Sequence, residues 1–251
     1  MKKTILLSIL LIAFSFIGKA QTLETLNYVV TYKWGLIQKD AGDVVITKKR
    51  AGDGYELKLI AKSKPWADKI YKLRDTLTSY TGKEKYMPEK YIYVAHEKNT
   101  YRHDEIKFTY SDGIVKGWVE RYKEGKDGKI SRGNATLEGS GAVYDMLSVF
   151  FFLRDLNYSA MRQGDKVVTT VFSGEKKERL EIRYEGIENV KLKDKSEHET
   201  WHIVFKFTQD GGKKSSDDIN CYVSTRGSHI PLLIVGTLPV GQIRINYMGE
   251  S

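Results

Sequence analysis

Apolar and polar residues alternate with a period of two along most of this chain, the signature of half-buried β-strands. Leu26, Tyr28, Val30, Tyr32 and Trp34 share one parity, and Gly42–Lys49 reads as their hairpin partner. After the Ala51-Gly52-Asp53-Gly54 turn, Tyr55, Leu57, Leu59 and Ala61 repeat the pattern. Pro65 interrupts it, and Lys69–Tyr80 resumes with Tyr71, Leu73 and Leu77 in phase. Further strands are expected from Pro88 through Ala95, over Ile106–Tyr110 and over Val115–Val119, with turns at Ser111–Gly113 and Gly125–Lys129. Toward the C-terminus the same reasoning marks Val167–Phe172, Leu180–Tyr184, Trp201–Phe207, Ile219–Ser224 and Ile243–Tyr247.

One stretch departs from the alternation. In Gly141–Tyr158 apolar side chains cover nearly the whole circumference of a would-be helix, with Phe150, Phe151 and Phe152 on successive positions. A helix apolar all round is buried or spans a membrane. Asp145, Ser148, Arg154 and Asp155 break the run, leaving it too short to cross a bilayer. The fold expected is therefore all-β and mainly antiparallel: a curved sheet or open β-barrel wrapped around one central buried helix at 141–158. Asp145 in the first turn and Arg154 in the last suit the helix dipole. Both, together with Phe150, Phe151 and Phe152, are expected to act as structural anchors, with Arg74 and Asp75 as candidates to help tie the helix ends to the sheet, since unpaired charge is costly to bury.

Composition narrows the setting. Lys2 and Lys3, the apolar Ile5–Ile17 run and Gly18-Lys19-Ala20 read as an export signal. Cleavage after Ala20 leaves Gln21–Ser251 as a single mainly-β domain, soluble without detergent and with no further membrane span expected. Loss of Lys2, Lys3 and Lys19 lowers the formal net charge from +9 to +6. The location expected is the periplasm or envelope surface of a bacterium. Cys221 is the only cysteine, so no intramolecular disulfide can form, and its strand-like surroundings indicate a buried thiol.

Candidate chemistry is sparse. His198-Glu199-Thr200-Trp201-His202 fits H-E-x-x-H, but a zinc protease needs that motif on a helix. Here it enters a strand-like WHIVFKF, where residues four apart are separated by roughly 13 Å. No metal and no cofactor are expected. Gly211-Gly212-Lys213-Lys214-Ser215 lacks the spacing of a phosphate loop and reads as a hairpin tip. No Gly-x-Ser-x-Gly elbow occurs. The lysine clusters fall at turns among acids, and nothing in them resembles a stacking motif for nucleic acid.

Several segments together resemble a known family. Tyr144-Asp145-Met146-Leu147-Ser148 followed by Phe151–Arg154 is similar to the central helix of the DUF3108 family of exported bacterial proteins. Lys72–Thr76, Gly164-Asp165, Ile230-Pro231-Leu232 and Val240–Ile243 extend the resemblance over most of the chain. It implies a strand-rich envelope protein of unassigned function and carries over no catalytic residues. The leading functional reading is a non-enzymatic binding or scaffold protein whose partner is an apolar small molecule, such as a lipid, or an envelope component. The rival is an envelope hydrolase acting on glycan or peptide.

Overall fold

The computed structural model describes residues 22–82, 86–174, 176–209 and 212–251. The export signal and cleavage site expected from the sequence lie outside the described residues, as does part of the expected Gly211–Ser215 turn. The N-terminal half forms β1 (Thr22–Trp34), β2 (Ile37–Ala51), β3 (Gly54–Ser63), α1 (Pro65–Tyr71), β4 (Leu73–Thr81), β5 (Pro88–Glu97), β6 (Thr100–Ser111), β7 (Ile114–Glu124) and β8 (Ile130–Ser140). The rest comprises β9 (Val143–Asp145), α2 (Ser148–Arg154), β10 (Lys166–Ser173), β11 (Lys176–Lys191), β12 (Glu197–Gln209), β13 (Ile219–Ser224), β14 (Pro231–Thr237) and β15 (Gln242–Glu250). Among the described residues all fifteen strands belong to one sheet, in the order β8-β7-β6-β5-β4-β3-β2-β1-β15-β14-β13-β12-β11-β10-β9. Each ladder is antiparallel except β9–β10, so the sheet is two meanders joined where β1 pairs with β15.

Alternation places the core. Asp104, Ile106 and Phe108 on β6, and Val115, Gly117 and Val119 on β7, point inward in strict period two. The sheet curls until its two ends meet. Phe108 stacks on Phe172 of β10 with ring centroids 5.7 Å apart. A Cβ on Gly117 would lie 2.7 Å from that Phe172 ring, so glycine is what lets β7 approach so closely. The result is a nearly closed barrel, in line with the all-β expectation.

The long central helix is not present. Gly141–Tyr158 divides into the strand β9, a turn, the two-turn α2 and a 3₁₀ turn at Tyr158–Ala160. The cause is local. The Asp145 carboxylate accepts hydrogen bonds from the Leu147 and Ser148 N–H groups at 2.7 and 2.8 Å. The Ser148 hydroxyl in return accepts the Asp145 N–H at 2.9 Å. This reciprocal capping starts a helix and prevents its continuation upstream, where the β-formers Val143 and Tyr144 pair with Thr170 and Val171. Leu147 and Phe151 join a core cluster built from both halves of the sheet, chiefly β1 to β8. Val149 and Leu153 join a second cluster with Leu180, Ile182 and Ile203.

Other departures have equally local origins. Lys69–Tyr71, expected as strand, belongs to α1, which opens with Pro65 at its first turn. β8 is polar on most positions because it is an edge strand. β11 and β12 run longer than expected. A bulge at Gly186, with φ of +117°, bends their hairpin back over the outer face of the sheet. There Val190 and Leu192 pack on Leu233 and Val235, and Lys193 at the tip forms an ion pair with Asp40. Among the described residues no helix is long and apolar enough to cross a membrane, a statement about helices alone.

Candidate functional site

Strand register brings three connections to one end of the barrel. Trp34 pairs with Ile37 at the β1–β2 turn, and Lys33 pairs with Gln242 beside the β14–β15 turn. Gly42 pairs with Ser63, from which the chain enters α1. Polar bonds hold α1 across this end. The Trp66 indole N–H donates to the Asp40 carbonyl at 2.6 Å, Arg74 binds Asp68 at 2.7 Å, and the Ser63 hydroxyl donates to the same carboxylate. Arg74 thus serves α1. Asp75 accepts the Tyr93 hydroxyl at 3.0 Å, so neither residue pairs with the ends of α2.

Between α1, β1–β3 and the β14–β15 hairpin lies a cavity of about 860 Å³. Val30, Tyr32, Val44, Ala61, Ala67 and Ile243 are among its walls, and Trp34, Ile70 and Val240 form its rim. Two of the polar side chains there are already engaged: Asp43 binds Lys64 at 2.8 Å, and the Tyr32 hydroxyl donates to the Val240 carbonyl at 2.8 Å. A second apolar cavity, of about 570 Å³, is lined by Met146, Val149, Phe150 and Leu153 among others. The two share Leu238 and Ile243 as a common wall. Such an arrangement can bury an elongated apolar chain, each methylene contributing about 0.8 kcal/mol.

The opposite end is polar. A cavity of about 390 Å³ is lined by Glu24, Lys48, Tyr86, Phe151, Arg154 and His229 among others. Arg154 makes a two-pronged ion pair with Glu24 at 2.6 and 2.7 Å and donates from Nε to the Ser228 carbonyl at 3.0 Å. Lys48 donates to the Tyr86 hydroxyl at 2.6 Å and lies over the Tyr55 and Tyr86 rings. Burial draws its ammonium below the ordinary lysine range. Tyr86 and His229 both hold left-handed backbone, with φ of 53° and 50°.

The residues expected as anchors therefore separate. Phe150 faces the second apolar cavity and Phe151 the polar one, while Phe152 stacks on Tyr144 at 4.5 Å. Asp145 is fully buried beneath β4 and accepts the Ser79 hydroxyl at 2.5 Å. Glu24, Lys48 and the whole of α1 escaped sequence reasoning. Pro65 before an Asp-containing turn was the one available signal for α1. His198 and His202 lie on β12, as expected, and each has other partners: Ser196 for His198, and Asn220 and Glu188 for His202. No group of three His, Cys, Asp or Glu side chains able to hold a metal ion occurs among the described residues. Cys221 is a buried strand thiol, pushed up to about 12 by burial.

Burial raises the Asp145 carboxyl to about 6, against the hydrogen bonds that favour its charged form. The folded state thus holds this proton more tightly than the unfolded chain does. The stabilisation it contributes is complete below about pH 4 and is lost as pH rises through 6. Asp145→Asn removes the titration while keeping an oxygen for the two N–H groups. Urea unfolding should show the variant gaining about 2–3 kcal/mol on the wild type between pH 4 and 7.5. A difference between the two proteins that does not change with pH would contradict this.

A family model described as a protein of unknown function, DUF3108, matches residues 27–247. Among curated proteins none matches the chain. Among solved structures, the chain is similar to a β-barrel-like protein of the domain of unknown function DUF1849 from Brucella abortus. The TM-score is 0.57 at 13% identity, covering 91% of this chain and 96% of that one. At that identity the likeness concerns the fold.

Proposed function

The chain belongs to the DUF3108 family, and from that premise we propose that it is an exported envelope protein that binds the apolar chain of a lipid or lipid-modified partner without catalysing a reaction on it. The observation that carries this reading is the cavity of about 860 Å³ under α1, together with the second apolar cavity that shares its wall. Its size lies within the ~300–1,000 Å³ of small-molecule sites. Its walls offer dispersion contacts and few free polar groups, which suits a hydrocarbon rather than a glycan or peptide.

Native mass spectrometry of the protein purified from its own envelope tests the reading. The expected result is an added mass that organic extraction identifies as an acyl-chain compound. Ala61→Phe, which fills the cavity from β3, should remove that mass and weaken binding of a fluorescent fatty acid by about tenfold or more. A protein that carries no such mass and does not bind the fatty acid would overturn the reading.

A further inference from the structure

The rim of the larger cavity carries a surface that the binding reading does not require. Trp34, Leu36 and Ile37 at the β1–β2 turn, Ile70 and Tyr71 on α1, and Leu238 and Val240 at the β14–β15 turn are all exposed. Leu36 is entirely in solvent, Ile70 is 72% exposed, and Trp34 and Val240 are 57% and 58% exposed. Other exposed apolar residues, such as Tyr110, Ile130 and Met248, lie on different connections and strands. Hairpin tips are ordinarily polar, and apolar side chains gathered on three separate connections at one end mark an interaction face.

The charge around this face selects its partner. Lys33, Lys39, Lys62, Lys69 and Lys72 are exposed on the same strands and on or beside α1. The neighbouring acids are already engaged: Asp40 with Lys193, Asp43 with Lys64, and Asp68 with Arg74. An apolar tip within a ring of lysines matches an anionic lipid bilayer. The tip enters the acyl boundary, the indole of Trp34 sits at headgroup depth, and the ammonium groups meet lipid phosphates. We propose that the protein docks on anionic membrane surfaces through this end, with Trp34, Leu36, Ile37, Ile70 and Val240 as the inserting residues. The cavity mouth then faces the hydrocarbon layer. Docking stands whether or not the cavity is filled, because Leu36 and Ile37 are not among the cavity's walls.

Co-sedimentation of the full chain with vesicles tests the proposal, one set of phosphatidylcholine alone and another mixed with phosphatidylglycerol. The expected result is binding to the mixed vesicles that weakens as salt is raised. The Leu36→Glu/Ile37→Glu protein should lose about tenfold or more in vesicle affinity. Lys62→Glu/Lys69→Glu should reduce binding to the mixed vesicles specifically. Melting curves establish that both variants are folded, and the second carries the test if the first is not. Any mass bound in the cavity should persist in Leu36→Glu/Ile37→Glu, which separates loss of docking from loss of ligand. Absence of binding to protein-free vesicles would overturn the proposal in favour of a protein receptor. Binding unchanged by either pair of substitutions would also overturn it, since another surface would then be responsible.

Discussion

Arg154→Ala should destabilise the fold by about 3–5 kcal/mol, because it strands the Glu24 carboxylate in a buried site. The two side chains are only 7% and 13% exposed. Their paired hydrogen bonds tie the end of α2 to β1, and the bond to Ser228 adds the β13–β14 connection. Removing both charges should cost far less than removing one. Glu24→Leu/Arg154→Met keeps the apolar volume and leaves no ion to desolvate, so urea midpoints should place it well above Arg154→Ala. Arg154→Lys should fall between them, since an ammonium cannot reproduce the planar fork. A single-variant loss below about 1 kcal/mol would mean that the pair is solvated and that this end of the barrel is looser than its geometry indicates.

Phe151→Ala should cost a similar ~3–5 kcal/mol, through lost transfer energy and the cavity left behind. Phe151 is 1% exposed and meets Tyr86, Phe150, Lys48 and Arg154 with ring separations of 5.3 to 5.9 Å. That is a large share of a typical stability of about 5–15 kcal/mol. Lys213→Ala, at an exposed position, should leave the melting temperature nearly unchanged. Melting and ligand retention measured together decide what the segment does. A stable Phe151→Ala protein that sheds a bound apolar molecule would make α2 a gate, and one unchanged in both would refute its burial.

Much of the sheet was legible because each strand carries its own evidence. The parity of Ile106 and Phe108, or of Val115 and Val119, states which face is buried without reference to any other strand. β8 failed that test for a physical reason: an edge strand with Ile130, Ala135 and Leu137 as its few apolar residues buries too little to show a period. The Gly141–Tyr158 segment failed differently. Its apolar residues fit a helix and a strand equally, and the decision rested on one carboxylate, Asp145, that could cap the backbone from within the run. The site was least legible. Glu24 lies 130 positions from Arg154, and the large cavity is assembled from β1, β2, β3, α1 and the β14–β15 turn. No local pattern encodes such proximity.

The pairing of β1 with β15 has a consequence for the order of assembly. Apart from the short crossover to β9, every other ladder joins strands that are consecutive in the chain and can form as soon as a hairpin closes. The junction of the two meanders joins residues such as Asn27 and Gly249, 222 positions apart. Closing so long a loop in an unstructured chain costs roughly 3 kcal/mol more than closing a ~10-residue hairpin. Each meander that folds first shortens the effective loop, so the favoured route forms two arms and zips the seam last, at the slow end of folding rates. Until then β1 and β15 are free edges whose natural partners are each other. At high concentration that partner can come from another molecule, and the seam is where two chains would exchange halves.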